Sequence, residues 1–401
     1  MIGNVGNAGS LVNTGNRGEG TQFEFSFHLP TLIEFGWGKA ARLGERLLQL
    51  GVSRIFLVSD KGVESAGLLT GLAAALRSSG MEYDIYTDIE PDPGLETINR
   101  GAEVFRSRPY DCIVAVGGGS SIDTAKGIRV VAARGGSIRE YAGVNRIPGG
   151  PGSIPLIAVP TTSGTGSEVT IFGVYSDWQN NVKVTVTSEY MAPTIALVDP
   201  ELTARLPAKL TAASGIDALA HGIETFFSLR SSPASDALAM EAIAVVNANL
   251  RRAVEDGSDM EARIGMSHGS LLAGMAFNNG FLGLAHAIGS ALSGHCHVPH
   301  GIAIGLLLPS IIEFNTPACP AKAAKIAELI GVLDDHIGQS AGAAVAKLVH
   351  GIGLPTRLRE VGVDQEKLPA IAKDAFKSGM MQFNPRMPTE EEVLELLQRL
   401  F

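Results

Sequence analysis

The sequence has few cysteines and no concentration of basic residues, and each shortage excludes a class of protein. Its three cysteines, Cys112, Cys296 and Cys319, lie far apart and form no paired framework and no C-x-x-C motif, which predicts a reducing, cytoplasmic environment. The chain has 32 Lys and Arg against 41 Asp and Glu, so its net charge is −9. Because no Lys/Arg run forms a basic patch, we expect no nucleic-acid partner.

Long apolar runs are also missing. The longest, residues 301–308, ends at Pro309 and is far shorter than the roughly 20 residues that a membrane span needs, so we expect no membrane partner. The N-terminus has no basic segment followed by an apolar one, so the sequence predicts no signal peptide. Residues 1–20 are rich in Gly and Asn without periodicity, and we expect a disordered leader or tag remnant there.

Short apolar runs that alternate with helix-length segments dominate the first half of the chain. Over residues 23–35, aromatic and β-branched residues alternate with polar ones, which predicts one or two strands. The other predicted strands are residues 55–58, 83–86, 112–116 and 156–159, with further strands and turns over 170–198 and helices such as 94–106 and 121–133. This alternation is typical of an α/β domain with a parallel, doubly wound sheet.

The pattern changes after Pro200. Strand-like runs stop, and helical spacing rich in Ala, Leu and Ile continues to the last helix, which Thr389 and Glu392 open with a capping-box pattern. The sequence therefore predicts an α/β domain over residues 21–200 and an all-helical domain over residues 201–401. Small-molecule sites tend to form in the cleft between two such domains.

Two loops rich in glycine and hydroxyl side chains follow predicted strands. In the first, residues 117–126 continue an apolar strand into a helix, and an uncapped helix N-terminus suits a phosphate or pyrophosphate. The alternative is an ordinary tight turn, because the loop is not a G-x-G-x-x-G fingerprint. The second loop, residues 160–168, lies at the strand end where open α/β sheets bind ligands. Asp60, also at a strand end, either binds a ribose 2′-hydroxyl, which would favour NAD over NADP, or is a surface turn residue.

Acidic and histidine side chains cluster in the second half of the chain. Asp217 and His221 are four residues apart, which places both on one face of a predicted helix in apolar surroundings. The alternative is an ion-paired couple in the core. Four of the nine histidines fall within residues 283–301. Imidazoles with a carboxylate suit Zn²⁺ or Fe²⁺, whereas Mg²⁺ or Ca²⁺ would need more oxygen ligands.

Four motifs in this order and spacing resemble the iron-dependent alcohol dehydrogenase family, from about Leu32 to the C-terminus. They are G-G-G-S-x-x-D-x-A-K from Gly117, P-T-T-x-G-T-G-S-E from Pro160, G-x-D-A-L-x-H-x-I-E from Gly215, and G-L-x-H from Gly283 with P-H-G from Pro299. The resemblance implies an N-terminal dinucleotide-binding domain, a C-terminal helical metal domain, and an NAD(H)-linked alcohol dehydrogenase or aldehyde reductase. A metal, Fe²⁺ or Zn²⁺, would polarise the substrate oxygen while hydride passes to or from the nicotinamide.

By match of position, the resemblance also implies the site residues. The metal ligands would be Asp217, His221, His286 and His300. The cofactor would contact Asp60, Gly118, Gly119, Ser120, Asp123, Thr161, Thr162, Thr165, Lys183 and Leu210. Phe172 and Phe277 would line the substrate pocket and predict a preference for apolar chains over small diols. Members commonly pair through an N-terminal strand, so we expect a homodimer or larger homo-oligomer.

The chain departs from the family at two positions. Phe172 stands where some members have a polar side chain, often Asn, that faces the substrate, and Ser290 stands where many members have a histidine that is thought to assist proton transfer. We expect His297, and to a smaller extent Ser290, to take part in that transfer instead, and we expect His295 to be a surface residue. Three alternatives stay open: a specialised reductase of the maleylacetate or phosphonoacetaldehyde type, a dehydroquinate-synthase-like lyase, and a structural subunit without activity. The absence of Lys and Arg from residues 283–308 argues against the lyase, and intact metal ligands argue against the structural subunit.

Overall fold

A computed structural model describes residues 24–149, 154–180, 182–332 and 339–401. The expected leader at residues 1–20 lies outside the described residues. The strands of the described chain are β1 (Leu32–Phe35), β2 (Arg54–Val58), β3 (Glu82–Tyr86), β4 (Cys112–Gly117), β5 (Gly143–Val144), β6 (Leu156–Pro160), β7 (Phe172–Asp177), β8 (Val182–Thr187) and β9 (Ile195–Val198).

Six of these strands form one parallel sheet in the order β1-β9-β6-β4-β2-β3. The register pairs Val58 with Ala115 on β4, and Val116 with Val159 on β6. Every residue of β4 and β6 is buried, because helices cover both faces of such a sheet, and this is why both strands are continuous apolar runs. The predicted parallel sheet is confirmed. The other three strands form a small sheet in which β7 and β8 are an antiparallel hairpin.

The N-terminal strand is shorter than the pattern over residues 23–35 predicts. Only Leu32–Phe35 forms a strand, and it pairs with β9 at the edge of the sheet. The backbone of His28 instead hydrogen-bonds to the side chains of Asn278 and Asn279. Side chains already satisfy the backbone N–H and C=O groups of His28, and Pro30 has no N–H to donate. This segment therefore gains little from pairing with a neighbouring strand.

Helices connect the strands of the sheet and make up the rest of the described chain. They are α1 (Leu43–Leu50), α2 (Lys61–Ser65), α3 (Leu69–Ser78), α4 (Leu95–Arg106), α5 (Gly119–Arg134), α6 (Ala208–Phe227), α7 (Pro233–Glu255), α8 (Met260–Gly280), α9 (Leu284–Cys296), α10 (His300–Asn315), α11 (Pro320–Leu329), α12 (Gln339–Gly351), α13 (Leu368–Ala375) and α14 (Glu390–Leu400). In the described residues after β9 every regular element is helical, as the sequence predicts. The capping box of Thr389 and Glu392 is confirmed at the start of α14.

The helix α10 lies in the core of the helical half. With the turn after it, the segment His300–Ala318 is long and apolar enough to cross a membrane by length and composition, but 56% of its most apolar window is buried. It packs against α6, α9 and α12. The apolar run therefore belongs to a core helix, and this helix continues through Pro309 to Asn315.

Candidate metal and cofactor site

Helix α6 presents two of the expected ligands on one face. Asp217 and His221 are one turn apart, and their side chains are 4% and 5% exposed. The helix is buried along nearly all of this stretch because α7, α8 and α10 surround it. Asp217 Oδ1 lies 3.8 Å from Nε2 of His221, so the i, i+4 spacing brings both side chains to one point.

Two further histidines reach the same oxygen from other helices. His286 lies in the first turn of α9 and His300 is the first residue of α10. Their Nε2 atoms lie 3.4 and 3.5 Å from Asp217 Oδ1. The structure therefore brings all four expected metal ligands together. His286 is 3% exposed but His300 is 36% exposed, so the cluster is open to solvent on the His300 side.

The unsatisfied atoms of the cluster fit a cation. Asp217 Oδ1 and His286 Nε2 are buried and lack a hydrogen-bond partner among the described residues. Ligand atoms of Asp217, His221 and His286 all lie within 4.8 Å of one another. Leaving such groups unpaired in the interior is costly, and a divalent ion would satisfy them. Three imidazoles and one carboxylate are a donor set that suits Fe²⁺ or Zn²⁺.

The second ring nitrogens of two histidines are also held. His221 Nδ1 lies 3.1 Å from the carbonyl oxygen of Gly164, and His286 Nδ1 lies 2.5 Å from Oε2 of Glu224. These contacts direct each Nε2 lone pair towards the cluster. Glu224 is not among the site residues expected from the sequence. The signal was present, because Asp217, His221 and Glu224 have the i, i+4, i+7 spacing of one helix face.

Burial and neighbouring charges set three of the four ligands in the protonation state that binds a metal. Burial lowers the pKa of His221 to about 4 and also lowers the pKa of His300, so both imidazoles are neutral near pH 7. Burial opposes ionisation of Asp217, but the three imidazoles facing it hold its pKa below the usual range. Neutral imidazole and ionised carboxylate are the forms that ligate metal ions. His286 is the exception, because burial lowers its pKa but the carboxylates of Glu224 and Asp217 outweigh that effect and raise it to about 9, so metal binding must displace its proton.

The glycine turn lies between strand β4 and helix α5. Gly118 is the N-cap of α5 and supplies no side-chain cap, so the first-turn N–H groups are available to an anion. The second loop packs directly on this turn. A Cβ at Gly119 would come within 2.8 Å of Thr165, and one at Gly118 would come within 3.3 Å of Thr162. Glycine at residue 119 therefore permits the close approach of the two loops, and a side chain at residue 118 would need Thr162 to move slightly.

Some of the other expected cofactor residues lie beside this turn. Asp60 caps α2 through Oδ1 and accepts a hydrogen bond from Ser121 through Oδ2 at 2.9 Å, which places it beside the turn. Thr161 is buried and its N–H bonds to Gly117. Lys183 lies farther along the cleft, where it pairs with Asp92. The side chain of Ser120 accepts a hydrogen bond from the N–H of Asp92, and Leu210 is exposed near the start of α6.

The carboxylate of Asp123, like that of Asp60, is used inside the protein. It accepts hydrogen bonds from Ser167 Oγ at 2.5 Å and from the backbone N–H of Val174 at 2.9 Å. These bonds connect helix α5 to the second loop and to strand β7. In this structure Asp123 therefore organises the loop around the cofactor position.

Aromatic side chains lie beside the metal ligands. The ring of Phe277 stacks on His221 with centroids 4.5 Å apart, and Phe172 lies 6.0 Å beyond Phe277. The two residues expected in the substrate pocket are thus together and next to a ligand. Ser290 is partly buried in α9, one turn after His286.

The two additional histidines before His300 have different surroundings. His297 is exposed, ends α9 in the left-handed region with φ 53° and ψ 27°, and lies 5.6 Å from the ring of Trp178. His295 is held by Asp374 at 2.9 Å. Of the two, His297 has the freer imidazole, in the loop that leads directly to His300.

Comparison with known proteins covers both halves of this site. Residues 30–200 match the family described as iron-containing alcohol dehydrogenase, and residues 211–401 match the C-terminal part of the Fe-containing alcohol dehydrogenase family. The chain is 37% identical over 380 residues to an NAD-dependent methanol dehydrogenase of Bacillus methanolicus, covering 93% of this chain and 99% of the relative.

Two solved structures share the whole architecture. A 1,3-propanediol oxidoreductase is 39% identical, superimposes with a TM-score of 0.91, and is matched over 94% of this chain and 100% of that chain. A sulfoacetaldehyde reductase from Bifidobacterium kashiwanohense, solved with NAD⁺, is 29% identical with a TM-score of 0.86, over 94% and 99% of the two chains. The matched regions contain both the glycine turn and the four-ligand cluster.

Proposed function

The chain belongs to the iron-containing alcohol dehydrogenase family, and we propose that its cleft oxidises primary alcohols to aldehydes with NAD⁺, or carries out the reverse reaction with NADH. Oxidation transfers one hydride from the carbinol carbon to the nicotinamide and releases one proton. The observation that carries the proposal is the convergence of three imidazoles on one oxygen of Asp217 at 3.4 to 3.8 Å.

The four ligands Asp217, His221, His286 and His300 would hold one divalent ion, iron or zinc. Such an ion supplies Lewis-acid polarisation of the substrate oxygen when it is bound. The protein supplies the alignment, because Glu224 and the Gly164 carbonyl orient two of the imidazoles. The exposed side of His300 is the direction from which substrate reaches the cluster.

The glycine turn and its neighbours would position the cofactor. In this proposal the first turn of α5, at Gly118, Gly119 and Ser120, binds the pyrophosphate. Asp60 lies beside that turn and binds the ribose 2′-hydroxyl, which favours NAD over NADP. The remaining cofactor contacts of the proposal are Thr161, Thr162, Thr165, Lys183 and Leu210, with Asp123 supporting the loop.

Domain limits, assembly and location follow from the same proposal. We propose a boundary near residue 200, between a cofactor-binding half and a metal-binding half. We also propose that the chain forms at least a dimer, because β1 lies at the edge of the main sheet with one side free of strand partners among the described residues. Three separated cysteines are consistent with a cytoplasmic location.

The alternative functions are less well supported. The relatives act on simple alcohols or aldehydes by name, as in the methanol dehydrogenase and the 1,3-propanediol oxidoreductase. A dehydroquinate-synthase-like lyase needs basic residues around its substrate, and residues 283–308 next to the cluster contain no Lys or Arg. The sulfoacetaldehyde reductase keeps open a specialised reductase within the same reaction class.

The decisive test combines metal content with turnover. Protein reconstituted with Fe²⁺ or Zn²⁺ should hold one ion per chain and form NADH from primary alcohols. The variant His286→Ala should lose both the stoichiometric metal and the turnover, because only Asp217, His221 and the partly exposed His300 would remain as ligands. His350→Ala, which removes another histidine of the helical half, is the control and should change neither. Full metal occupancy in His286→Ala would refute the ligand assignment.

A further inference from the structure

Four phenylalanine rings form a continuous row that begins at His221. Phe277 stacks on the imidazole at 4.5 Å between centroids, and Phe172 follows at 6.0 Å. Phe281 packs edge-on against Phe172 at 5.9 Å, and Phe383 stacks on Phe281 at 4.6 Å. We call Phe277, Phe172, Phe281 and Phe383 the phenylalanine row. It extends the two expected pocket residues by two rings that the sequence analysis did not identify.

Three of the four rings of the row are not fully buried, and Phe277 alone is. None of its rings belongs to an apolar core cluster among the described residues. Phe277 is 7% exposed, but Phe172, Phe281 and Phe383 are only partly buried. The rings contact one another in a line, and three of them keep part of their surface exposed to solvent. They therefore form an apolar wall that a ligand can contact. An apolar wall that ends at a few polar groups is the usual composition of a small-molecule site.

The backbone of Phe281 is unusual. Its φ of 61° and ψ of 177° lie in a region that is essentially restricted to glycine. The residue directly follows Gly280 at the end of α8, and Gly283 lies two residues later, so the sequence places glycines on both sides of the strained position without using one there. Such strain clusters at ligand-binding positions, where the surrounding structure maintains it. The protein therefore has a phenylalanine ring at residue 281 although its backbone conformation there is strained.

We propose that the phenylalanine row binds the hydrocarbon part of the substrate, and that the substrates are primary alcohols or aldehydes carrying a long alkyl chain or an aromatic ring. This inference rests on the proposed function, because it places the reacting carbon beside the Asp217 cluster. Phe277 and Phe172 contact the carbons nearest to the reacting carbon. Phe281 and Phe383 contact the distal carbons and determine the preferred chain length.

The first experiment measures chain-length dependence on the iron-loaded enzyme with NAD⁺. A buried methylene contributes about 0.8 kcal/mol, which corresponds to about a fourfold gain in kcat/KM per added carbon. We expect kcat/KM to rise at about this rate from ethanol towards 1-octanol, with benzyl alcohol also favoured. We expect 1,3-propanediol to be a poor substrate, because its second hydroxyl would lose its hydrogen bonds to water against the rings.

Two variants test whether Phe281 and Phe383 contact the distal carbons of the substrate. Phe281→Gly should fold, because glycine adopts the backbone conformation of residue 281 without strain. Phe383→Ala removes the last ring. Both should flatten the increase in kcat/KM over the longer alcohols, because the distal methylenes lose their contacts with the rings. Phe376→Ala, at an exposed phenylalanine of the same helical half outside the row, is the matched control and should keep the wild-type slope.

A binding measurement separates this inference from the proposed function. Titration calorimetry with 1-octanol, which needs no hydride transfer, should show binding to the wild type and clear weakening in Phe281→Gly and Phe383→Ala. If no alcohol is oxidised but this pattern holds, the dehydrogenase proposal fails and the row remains the binding wall. If alcohols are oxidised with parallel chain-length profiles in wild type and both variants, or if 1,3-propanediol is preferred, the row does not bind the substrate chain and the inference is wrong.

Discussion

Glu224 Oε2 lies 2.5 Å from Nδ1 of His286, and the two residues come from different helices. The same carboxylate accepts hydrogen bonds from the backbone N–H groups of Ala285 at 2.6 Å and His286 at 3.3 Å. Glu224 thus caps the start of α9 and holds one ring nitrogen of His286. With Nδ1 donating to Glu224, the Nε2 lone pair is directed to the metal position.

Replacing Glu224 should weaken metal binding without abolishing it. Glu224→Gln keeps the size of the side chain and one carbonyl acceptor, but it removes the charge that supports the His286 ring. We expect metal affinity to fall by about 10- to 100-fold, as for other carboxylates behind a ligating histidine. Competition with a chelator measures this affinity directly. The exposed Glu366→Gln is the control, and equal affinities in all three proteins would contradict the role assigned to Glu224.

Cofactor preference should depend on Asp60. The wild type should prefer NAD(H) over NADP(H), because the Asp60 carboxylate would repel a 2′-phosphate. Asp60→Gly removes this charge and should relax the preference, as measured by the ratio of kcat/KM values for the two cofactors. Asp60 also caps α2, but glycine replaces an N-cap aspartate at only a few tenths of a kcal/mol, so folding should survive. A wild type that prefers NADPH would show that Asp60 does not bind the ribose.

Stability should fall as the pH rises from about 4.5 to about 7 because of Glu168. Burial raises the pKa of this carboxyl from 4.5 to about 7 in the folded protein. The folded state therefore binds more protons than the unfolded state between these values, and the free energy of unfolding declines over that range by about 3 kcal/mol. Urea unfolding at several pH values should show this decline in the wild type. Glu168→Gln, which cannot ionise, should lack it, and identical pH profiles for both proteins would contradict the prediction.

The sequence predicts the fold well where one element determines the pattern. Fully buried strands such as β4 are apolar runs, and the spacing of Asp217 and His221 is visible within one helix. Strand β1 is shorter than its alternating pattern. The side chains of Asn278 and Asn279, some 250 residues away, hydrogen-bond to the backbone of His28, which precedes the strand. Alternation alone carries no information about such partners.

Site residues that depend on contacts between helices are the hardest to predict. Glu224 lies on the same helix face as Asp217 and His221. Its role, however, requires the first turn of α9 to pack against it, and His286 is 62 residues away in the sequence. Phe281 has an apolar side chain in an apolar stretch, and nothing in its sequence context reveals a backbone conformation that glycine usually occupies. The family resemblance supplied His286 and His300, and local spacing could not have assigned them.

The proton released by alcohol oxidation needs an acceptor, and Ser290 stands where many family members have a histidine. We expect His297 to serve, because its imidazole is exposed in the loop that leads to His300 and histidine is the side chain that most often acts as a general base. His295 is bonded to Asp374, so it is the less suitable base. His297→Ala should lower kcat for oxidation by roughly 10²- to 10⁴-fold with metal content unchanged. Ser290→Ala should have a smaller effect.

A second variant at His297 separates the chemistry from the backbone. His297 lies in the left-handed region with φ 53°, where alanine is strained and asparagine is tolerated. His297→Asn therefore keeps the turn before His300 but removes the base. If the histidine accepts the proton, His297→Asn should be as slow as His297→Ala and should lose the neutral-pH limb of the kcat profile. If only His297→Ala is slow, the residue positions the loop, and if neither is slow, the proton leaves through water and the cofactor ribose.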